Sequence, residues 1–264
     1  MWLSTDPMQE KYPGFSTYAY TFNNPIKFID PTGMEPDNVK EGYKNVVVIS
    51  TYSKPKGNED KKGNDLAQIE ATKGAKKLKN NTLLIFAKNK KDMLTQIEEQ
   101  LGDSKINNLI ISGHGNYNSP GIFIGDDYIS GSKGATLLGK DLSGYLESNE
   151  SSIVLASCHT GAGKDSKGEI FTKSLANASG ANVYTSRTWT VASAGMFDNG
   201  GIDLWINYAN FQSKPLSITN ERKGQVPISV ANYGKWTLAL PNTPTVSIIS
   251  NLYFKSNGNF KYNK

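Results

Sequence analysis

Cysteine, histidine and arginine are scarce in this chain. Its 264 residues contain one cysteine, Cys158, and two histidines, His114 and His159. A single cysteine excludes an intramolecular disulfide and a zinc site built from several thiolates. Only two of the 29 basic residues are arginines, and the lysines are spread along the chain. The net charge of +5 is therefore typical of a solvated surface and argues against nucleic-acid binding.

Long apolar runs are also missing. No run reaches the roughly 18 to 20 residues that a membrane helix needs, and the first residues lack the basic-then-apolar layout of a secretory signal. A content of 37% hydrophobic and 20% charged residues is typical of globular proteins. We therefore expect a globular chain that makes no membrane contact.

From residue 45 onward, short apolar runs alternate with helical patterns. Buried strands are predicted at 45–50, 82–87, 108–112, 152–157 and 182–186. Helices are predicted at about 65–79, 90–101, 135–147 and 169–178, with a hairpin near 121–130. Strands that alternate with helices form parallel sheets covered on both faces, so the pattern predicts an α/β fold.

Beyond residue 195, the sequence is typical of short aromatic-rich strands separated by Gly, Pro and Asn. These strands are predicted at 200–211, 216–220, 226–230 and 235–240. The tail, 241–264, has one apolar patch at 246–249 between polar ends, which predicts a partly mobile segment. We expect residues 35–195 to form the core of a domain and 196–264 a β-rich extension of it.

The cysteine and both histidines follow two of the predicted strands. Strand 108–112 runs into SGHG (112–115), and strand 152–157 runs into SCHTG (157–161). In parallel sheets, functional groups gather where strands end at their carboxyl edge. A thiolate is a nucleophile, and a neutral imidazole can take its proton and return it to a leaving amine. This pattern predicts Cys158 as nucleophile and His114 as general base.

Other groups in the same two loops have narrower predicted roles. The backbone amides of Gly115 and Cys158 can hold an oxyanion because they are fixed donors. Neighbouring strand residues point to opposite faces, so His159 is predicted to pack or to bond its loop. A two-histidine zinc site would need Asp126 or Asp127 as its carboxylate, and we expect no metal or other cofactor. An activating ion or small molecule remains an open alternative.

These two segments resemble the motifs of clan CD cysteine peptidases. Metacaspases carry SGHG followed by DSCHSG, and this chain carries SGHG (112–115) and ASCHTG (156–161). The resemblance covers about residues 45–190 and also includes caspases and the bacterial CHAT-type proteins. It implies a caspase-haemoglobinase-like sandwich with a mostly parallel central sheet flanked by helices. It also implies a cysteine endopeptidase with a protein substrate.

The resemblance places three residues in the substrate cleft. Ala156 stands where metacaspases have the aspartate that receives a basic P1 side chain, so the charge partner for Arg or Lys is missing. Ser186 and Arg187 match the strand end that lines the cleft in related proteins. Arg187 can pair with an acidic side chain, or it can be a structural residue. We predict a small, apolar or acidic P1 preference.

Residues 1–34 are rich in Pro, Tyr, Asn and Gly, with NNP at 23–25 and DPTGM at 30–34. This order resembles the closing segment of the Rhs repeat-associated core. In that family a β-shell encloses a variable toxin, and aspartyl self-cleavage releases it. By resemblance the cut follows Met34, and Asp6 and Asp30 match the two DP positions. Within this chain the same aspartates also fit a role as turn caps.

Together the two resemblances imply a toxin that cleaves proteins in the cytoplasm of a target cell. Its implied partners are the Rhs shell of the precursor and a cognate immunity protein, and a dedicated system would secrete it without a signal peptide. Three alternatives remain. The dyad can process its own precursor, the fold can be a non-catalytic interaction module, or the basic chain can be a nuclease.

Overall fold

The structure, a computed structural model, describes residues 44–56, 82–147, 150–162, 164–187 and 235–255, together with shorter stretches between and beside them. The chain divides into two compact units, residues 1–43 and 44–264. In the first unit, β1 (Phe28–Ile29) pairs antiparallel with β2 (Asp37–Asn38). The predicted domain boundary after residue 34 remains a prediction.

The second unit begins with strands that alternate with helices, as the sequence predicts. The strands are β3 (Asn45–Ser50), β4 (Thr82–Ala87), β5 (Asn108–Ser112), β6 (Gly121–Ile124), β7 (Asp127–Ser130), β8 (Ser152–Ala156) and β9 (Asn182–Ser186). The helices are α1 (Lys90–Leu101), α2 (Gly131–Ser143) and α3 (Lys167–Ser179). Strands β6 and β7 form the predicted hairpin, and among the described strands they pair with each other.

Five of these strands are parallel and adjacent in the order β4-β3-β5-β8-β9. All residues of β3 and β8 are buried, as expected of parallel strands covered on both faces. The predicted α/β class, with a mostly parallel central sheet flanked by helices, is confirmed. The arrangement is compatible with a caspase-like sandwich.

The remaining described strands extend this sheet in the antiparallel direction or form a separate pair. They are β10 (Trp189–Ala192), β11 (Gly201–Ile202), β12 (Trp205–Tyr208), β13 (Lys235–Ala239), β14 (Val246–Lys255) and β15 (Phe260–Asn263). Strand β13 pairs with β9 and β14, and β14 also pairs with β11 and β15. Strands β10 and β12 pair with each other. The runs predicted at 216–220 and 226–230 lie outside the described residues.

The tail was predicted to be partly mobile, and this remains a prediction; its apolar patch lies in residues 246–255. This segment is a ten-residue strand, β14, in register with β13. Ile249 pairs with Trp236, and the two side chains are 1% and 2% exposed. Burial of Ile249 against β13 stabilises the segment, whereas Ile248 is 49% exposed.

The helices agree with the predicted patterns to different degrees. Helix α1 has the predicted bounds, because the Asn89 side chain caps its first turn and Gly102, at φ 55°, ends it. Helix α2 begins directly after β7, four residues before the predicted start. Of the helix predicted at 65–79, residues 68, 69, 71 and 72 are described as helical. No helix in the described ranges combines the length and apolar character that crossing a membrane requires.

Candidate active site

The loops after β5 and β8 leave the carboxyl edge of the sheet side by side. The two strands are parallel neighbours, and Ser112 is in register with Ala156. Two residues further along each chain segment lie His114 and Cys158. Gly115 packs against the Cys158 backbone so closely that a Cβ at Gly115 would lie 2.1 Å from the Cys158 carbonyl oxygen. Strand register and this close approach bring the predicted nucleophile and base into one site.

His114 is held by its ring and by its backbone. Its Nε2 lies 2.8 Å from Oδ2 of Asp65, and its backbone N–H donates to the Tyr52 hydroxyl at 2.9 Å. Its carbonyl accepts from the Phe123 N–H at 2.8 Å, which ties the loop to β6. The imidazole also lies against the Tyr52 ring, with centroids 5.4 Å apart. Since Asp65 occupies Nε2, Nδ1 is the ring nitrogen available for proton transfer.

Asp65 is a buried carboxylate with a full set of partners. Its side chain is 2% exposed. Besides His114, it accepts from the backbone N–H groups of Lys56 and Gln68, each at 3.2 Å. Burial raises the pKa of Asp65, but the hydrogen bond and charge of His114 and the two amides outweigh burial, so the net pKa lies below its ordinary value. Asp65 is therefore ionised at neutral pH.

The Tyr52 hydroxyl lies close enough to Asp65 and Cys158 for their charges to affect its pKa. Burial raises the pKa of its hydroxyl, and the charges of Asp65 and Cys158 raise it further. Hydrogen bonds with the His114 amide and the Ser50 side chain act in the opposite direction but do not cancel the effect. The phenol consequently stays protonated and is a neutral neighbour of the site at all physiological pH values.

The loop that carries Cys158 is fixed by buried hydroxyl groups. Ser157 and Thr160 hydrogen-bond to each other, and the Thr160 Oγ1 donates to the Gly121 carbonyl at 2.8 Å. The Gly161 N–H donates to the Ser186 carbonyl at 2.7 Å. Cys158 itself is partly exposed. A partly exposed thiol on a rigid loop is suited to attack on a bound substrate.

The amides predicted to hold an oxyanion lie on the two facing loops. The Gly115 N–H donates to no acceptor in the described part of the chain. Because Gly115 packs on the backbone of Cys158, its amide lies next to that residue. The role of the Gly115 and Cys158 amides in holding an oxyanion remains a prediction.

Arg187 has internal partners for its guanidinium group. One terminal nitrogen lies 2.8 Å from Oε1 of Glu169, 2.9 Å from Oγ1 of Thr237 and 3.1 Å from the Gly161 carbonyl. The Thr237 hydroxyl also donates to the Gly161 carbonyl, at 2.7 Å. Arg187 thus connects the loop that carries Cys158 with α3 and β13, and Glu169 balances its charge. Its predicted attraction for an acidic substrate side chain remains a prediction.

Ala156 and Ser186, the other two residues predicted to contact substrate, are buried. Ala156 is 4% exposed and lies in the core cluster that includes Ile110 and Tyr184. Ser186 is 0% exposed. Each is the last residue of a central strand, and each is enclosed by the sheet and by the segments packed on it. Their predicted contact with substrate remains a prediction.

His159 makes the loop-bonding contact that the sequence predicts. Its Nδ1 lies 3.2 Å from the Arg187 carbonyl, and its ring meets the Tyr117 ring edge-on, with centroids 5.3 Å apart. A carbonyl can only accept, so Nδ1 carries the proton when the ring is neutral. Burial lowers the pKa of His159, and the hydrogen bond to Arg187 only partly opposes this effect.

The aspartates considered as zinc ligands have other partners. Asp126 accepts from the Ser53 N–H at 3.2 Å and lies 3.7 Å from the Lys56 Nζ, while Asp127 accepts from the Lys90 N–H at 3.0 Å. Across the described residues, no group of three or more His, Cys, Asp or Glu side chains is arranged to hold a metal ion.

Two residues of this site, Asp65 and Tyr52, were not predicted. Tyr52 lies two residues after β3, at the same carboxyl edge that identified His114 and Cys158, so the same rule could have found it. Asp65 precedes a helical pattern and accepts from the N–H three residues later, which is the signature of a helix N-cap. Its pairing with His114 has no signal in the sequence.

The predicted self-cleavage residues Asp6, Asp30 and Met34 lie outside the described residues.

Residues 67–205 match a known family model. A family model described as a domain of unknown function, DUF4347, matches residues 67–205, which is more than half of the chain. The matched region contains both loops of the site, with His114 and Cys158, but begins after Asp65 and Tyr52. A search of curated proteins finds no match to this sequence.

Proposed function

The chain belongs to the DUF4347 family, and we propose that it is a cysteine endopeptidase with Cys158 as nucleophile and His114 as general base. One observation carries this proposal. The imidazole of His114 is held at Nε2 by an ionised carboxylate, on a loop that packs directly against the backbone of Cys158. An inert buried thiol would not need an oriented imidazole beside it.

The geometry supports the following reaction. Nδ1 of His114 accepts the thiol proton, and the thiolate of Cys158 attacks the carbonyl carbon of the scissile peptide bond. The amides of Gly115 and Cys158 hold the oxyanion. Collapse of the tetrahedral intermediate breaks the C–N bond, and His114 returns the proton to the leaving amine. Water then attacks the thioester, with His114 as base, which releases the acid product and restores the thiol.

The biological setting rests on the resemblance of residues 1–34 to the end of an Rhs core. In that setting the peptidase is a toxin that a precursor shell carries, that a dedicated system secretes, and that cleaves proteins in the cytoplasm of a target cell. A cognate immunity protein would protect the producer. Production in a bacterial cytoplasm should therefore inhibit growth, and Cys158→Ala should remove the inhibition without lowering protein levels.

The deciding experiment maps new protein N-termini in a bacterial lysate. The full chain, its Cys158→Ala variant and a His159→Ala control are incubated with the lysate under reducing conditions. New termini that need Cys158 but survive loss of His159 would support a peptidase and reveal its P1 residue. Termini restricted to positions after Arg or Lys would contradict the predicted small, apolar or acidic preference.

The same samples separate the alternatives. If wild type and Cys158→Ala give identical maps, the peptidase proposal fails and a non-catalytic interaction module takes its place. If cleavage occurs only within the chain itself and needs Cys158, the site is a self-processing one. Degradation of nucleic acid that survives loss of Cys158 would instead indicate the nuclease alternative.

A further inference from the structure

The carboxylate of Asp65 joins two parts of the chain that are far apart in sequence. Oδ1 accepts from Gln68, and Oδ2 accepts from Lys56 while lying 2.8 Å from Nε2 of His114. A carboxylate with 2% exposure is costly to bury unless it is paired and hydrogen-bonded. The pairing with His114, 49 residues further along the chain, is therefore part of what keeps Asp65 ionised in this position.

We infer that Asp65 is the positioning residue of the site, which holds the His114 imidazole in the tautomer that directs an unprotonated Nδ1 to the thiol. The inference rests on the proposed function, because it assigns Asp65 a role in the reaction of Cys158. A carboxylate can only accept, so it requires the His114 proton on Nε2. It also stabilises the imidazolium that forms when the thiol loses its proton, as the acid of a catalytic triad does.

The other groups that face His114 do not supply this function. Tyr52 accepts the backbone N–H of His114 and packs on its ring, and its phenol is neutral. Lys56 places its Nζ 4.9 Å from the centre of the Phe123 ring and 3.7 Å from an oxygen of Asp126. Cys158 is the proton donor in the reaction. Among the described groups around this imidazole, Asp65 is the carboxylate that pairs with it.

The two histidines provide an internal contrast. Asp65 requires the proton of His114 on Nε2, whereas the Arg187 carbonyl requires the proton of His159 on Nδ1. The neutral rings must therefore be opposite tautomers. This contrast can be measured in the wild-type chain and does not depend on any variant folding.

The first test is nitrogen NMR of the full chain labelled at histidine, at a slightly alkaline pH. With only two histidines in the sequence, His159→Gln assigns the signals. We expect a protonated Nε2 for His114 and a protonated Nδ1 for His159. A protonated Nδ1 in neutral His114 would overturn the inference, since that tautomer cannot accept the thiol proton through Nδ1.

The second test is the pH dependence of iodoacetamide alkylation, which needs no peptide substrate. Cys158 is the only cysteine, so all thiol labelling reports on it. We expect a reactive plateau in wild type well below pH ~8.5, the range of an ordinary thiol. Asp65→Asn removes the negative charge that pairs with His114 and should lower this plateau about tenfold or more, as expected for loss of a charge-assisted hydrogen bond. Asp65→Glu keeps the charge and should retain part of it.

The outcomes separate this inference from the proposed function. A wild-type profile identical to that of His114→Ala would mean that the dyad does not form, and the proposed function would fail. A wild-type plateau that Asp65→Asn leaves unchanged would overturn only the role of Asp65. In active protein, Asp65→Asn should lower kcat by about 10³–10⁴-fold with little change in KM. An equal loss in Asp65→Glu, with the fold intact by circular dichroism, would also contradict the inference.

Discussion

The loops after β5 and β8 each carry one histidine, and the two side chains have opposite kinds of partner. His114 pairs with the carboxylate of Asp65, which can stabilise a positive charge on the ring. His159 bonds to the Arg187 carbonyl, and burial lowers its pKa. A position at the end of a strand is therefore not enough to make a histidine a base. The charge of the group that holds its second nitrogen separates the two roles.

The largest expected difference between the loops comes from replacing each histidine by alanine. His114→Ala should lower kcat/KM by about 10²–10⁴-fold, the usual contribution of a general base. His159→Ala removes a loop contact and should lower kcat/KM by less than about tenfold. The hydroxyl hydrogen bonds of Ser157 and Thr160 do not involve His159, so they still fix the loop in this variant. Steady-state kinetics on a peptide identified by N-terminal mapping provides the measurement. Similar losses of kcat/KM in both variants would show that the two histidines do not differ in this way.

A second prediction concerns the contact between the loops. Gly115→Ala would place a Cβ 2.1 Å from the Cys158 carbonyl oxygen, so one loop must move. We expect a loss of about 1–3 kcal/mol in unfolding free energy, the usual cost of overpacking, together with a large loss of activity.

Gly144→Ala is the matched control for this change. Gly144 has φ −67° and ψ −21°, and an added Cβ would meet nothing within 4 Å. Urea denaturation and thiol alkylation should both be close to wild type in this variant. A Gly115→Ala protein that behaves like Gly144→Ala would show that the loops are not in close contact.

A third prediction addresses the hydroxyl groups that fix the loop carrying Cys158. Thr160→Val keeps the shape of the side chain but removes the hydroxyl that donates to the Gly121 carbonyl and bonds to Ser157. Loss of these hydrogen bonds should cost about 1–3 kcal/mol of stability. Thr160→Ser retains the hydroxyl and should cost less. Denaturant unfolding of the two variants measures the difference, and equal stabilities would assign the loop rigidity to other contacts.

The smallest expected effect is the pH dependence of stability that arises from His159. Because its pKa is lowered in the folded chain, the unfolded chain binds the proton more readily below about pH 6.5. Stability should therefore fall as pH decreases through this region, and His159→Gln should lack that component. Unfolding free energies of the two proteins, compared at acidic and neutral pH, test the sign. The predicted direction would be contradicted if the unfolding free energy of the variant, relative to wild type, were lower at acidic pH than at neutral pH.

Much of the fold and part of the site could be predicted because they depend on local patterns. The runs 45–50, 82–87, 108–112 and 182–186 were predicted with the bounds of β3, β4, β5 and β9, since continuous apolar runs mark buried strands. Helix α1 was predicted with its bounds because it has both an apolar face and defined caps. The same strand ends indicated His114 and Cys158.

Contacts between segments that are far apart in sequence could not be predicted from local patterns. Asp65 lies 49 residues before His114, and nothing in its neighbourhood indicates which basic group it will meet. The antiparallel addition of β13 and β14 next to β9 depends on which edge of the parallel sheet these strands meet. Arg187 shows the same dependence, since its partners Glu169 and Thr237 come from different elements.

The order of strands and helices, and the placement of one thiol and two imidazoles at strand ends, follow from the amino-acid sequence through local apolar periodicity. The partner of each imidazole follows from the folding of the whole chain, because hydrogen bonds form between groups that packing brings within about 3 Å. Folding placed a carboxylate beside His114 and a carbonyl beside His159. The electrostatic difference between those two acceptors distinguishes the candidate base from the structural histidine.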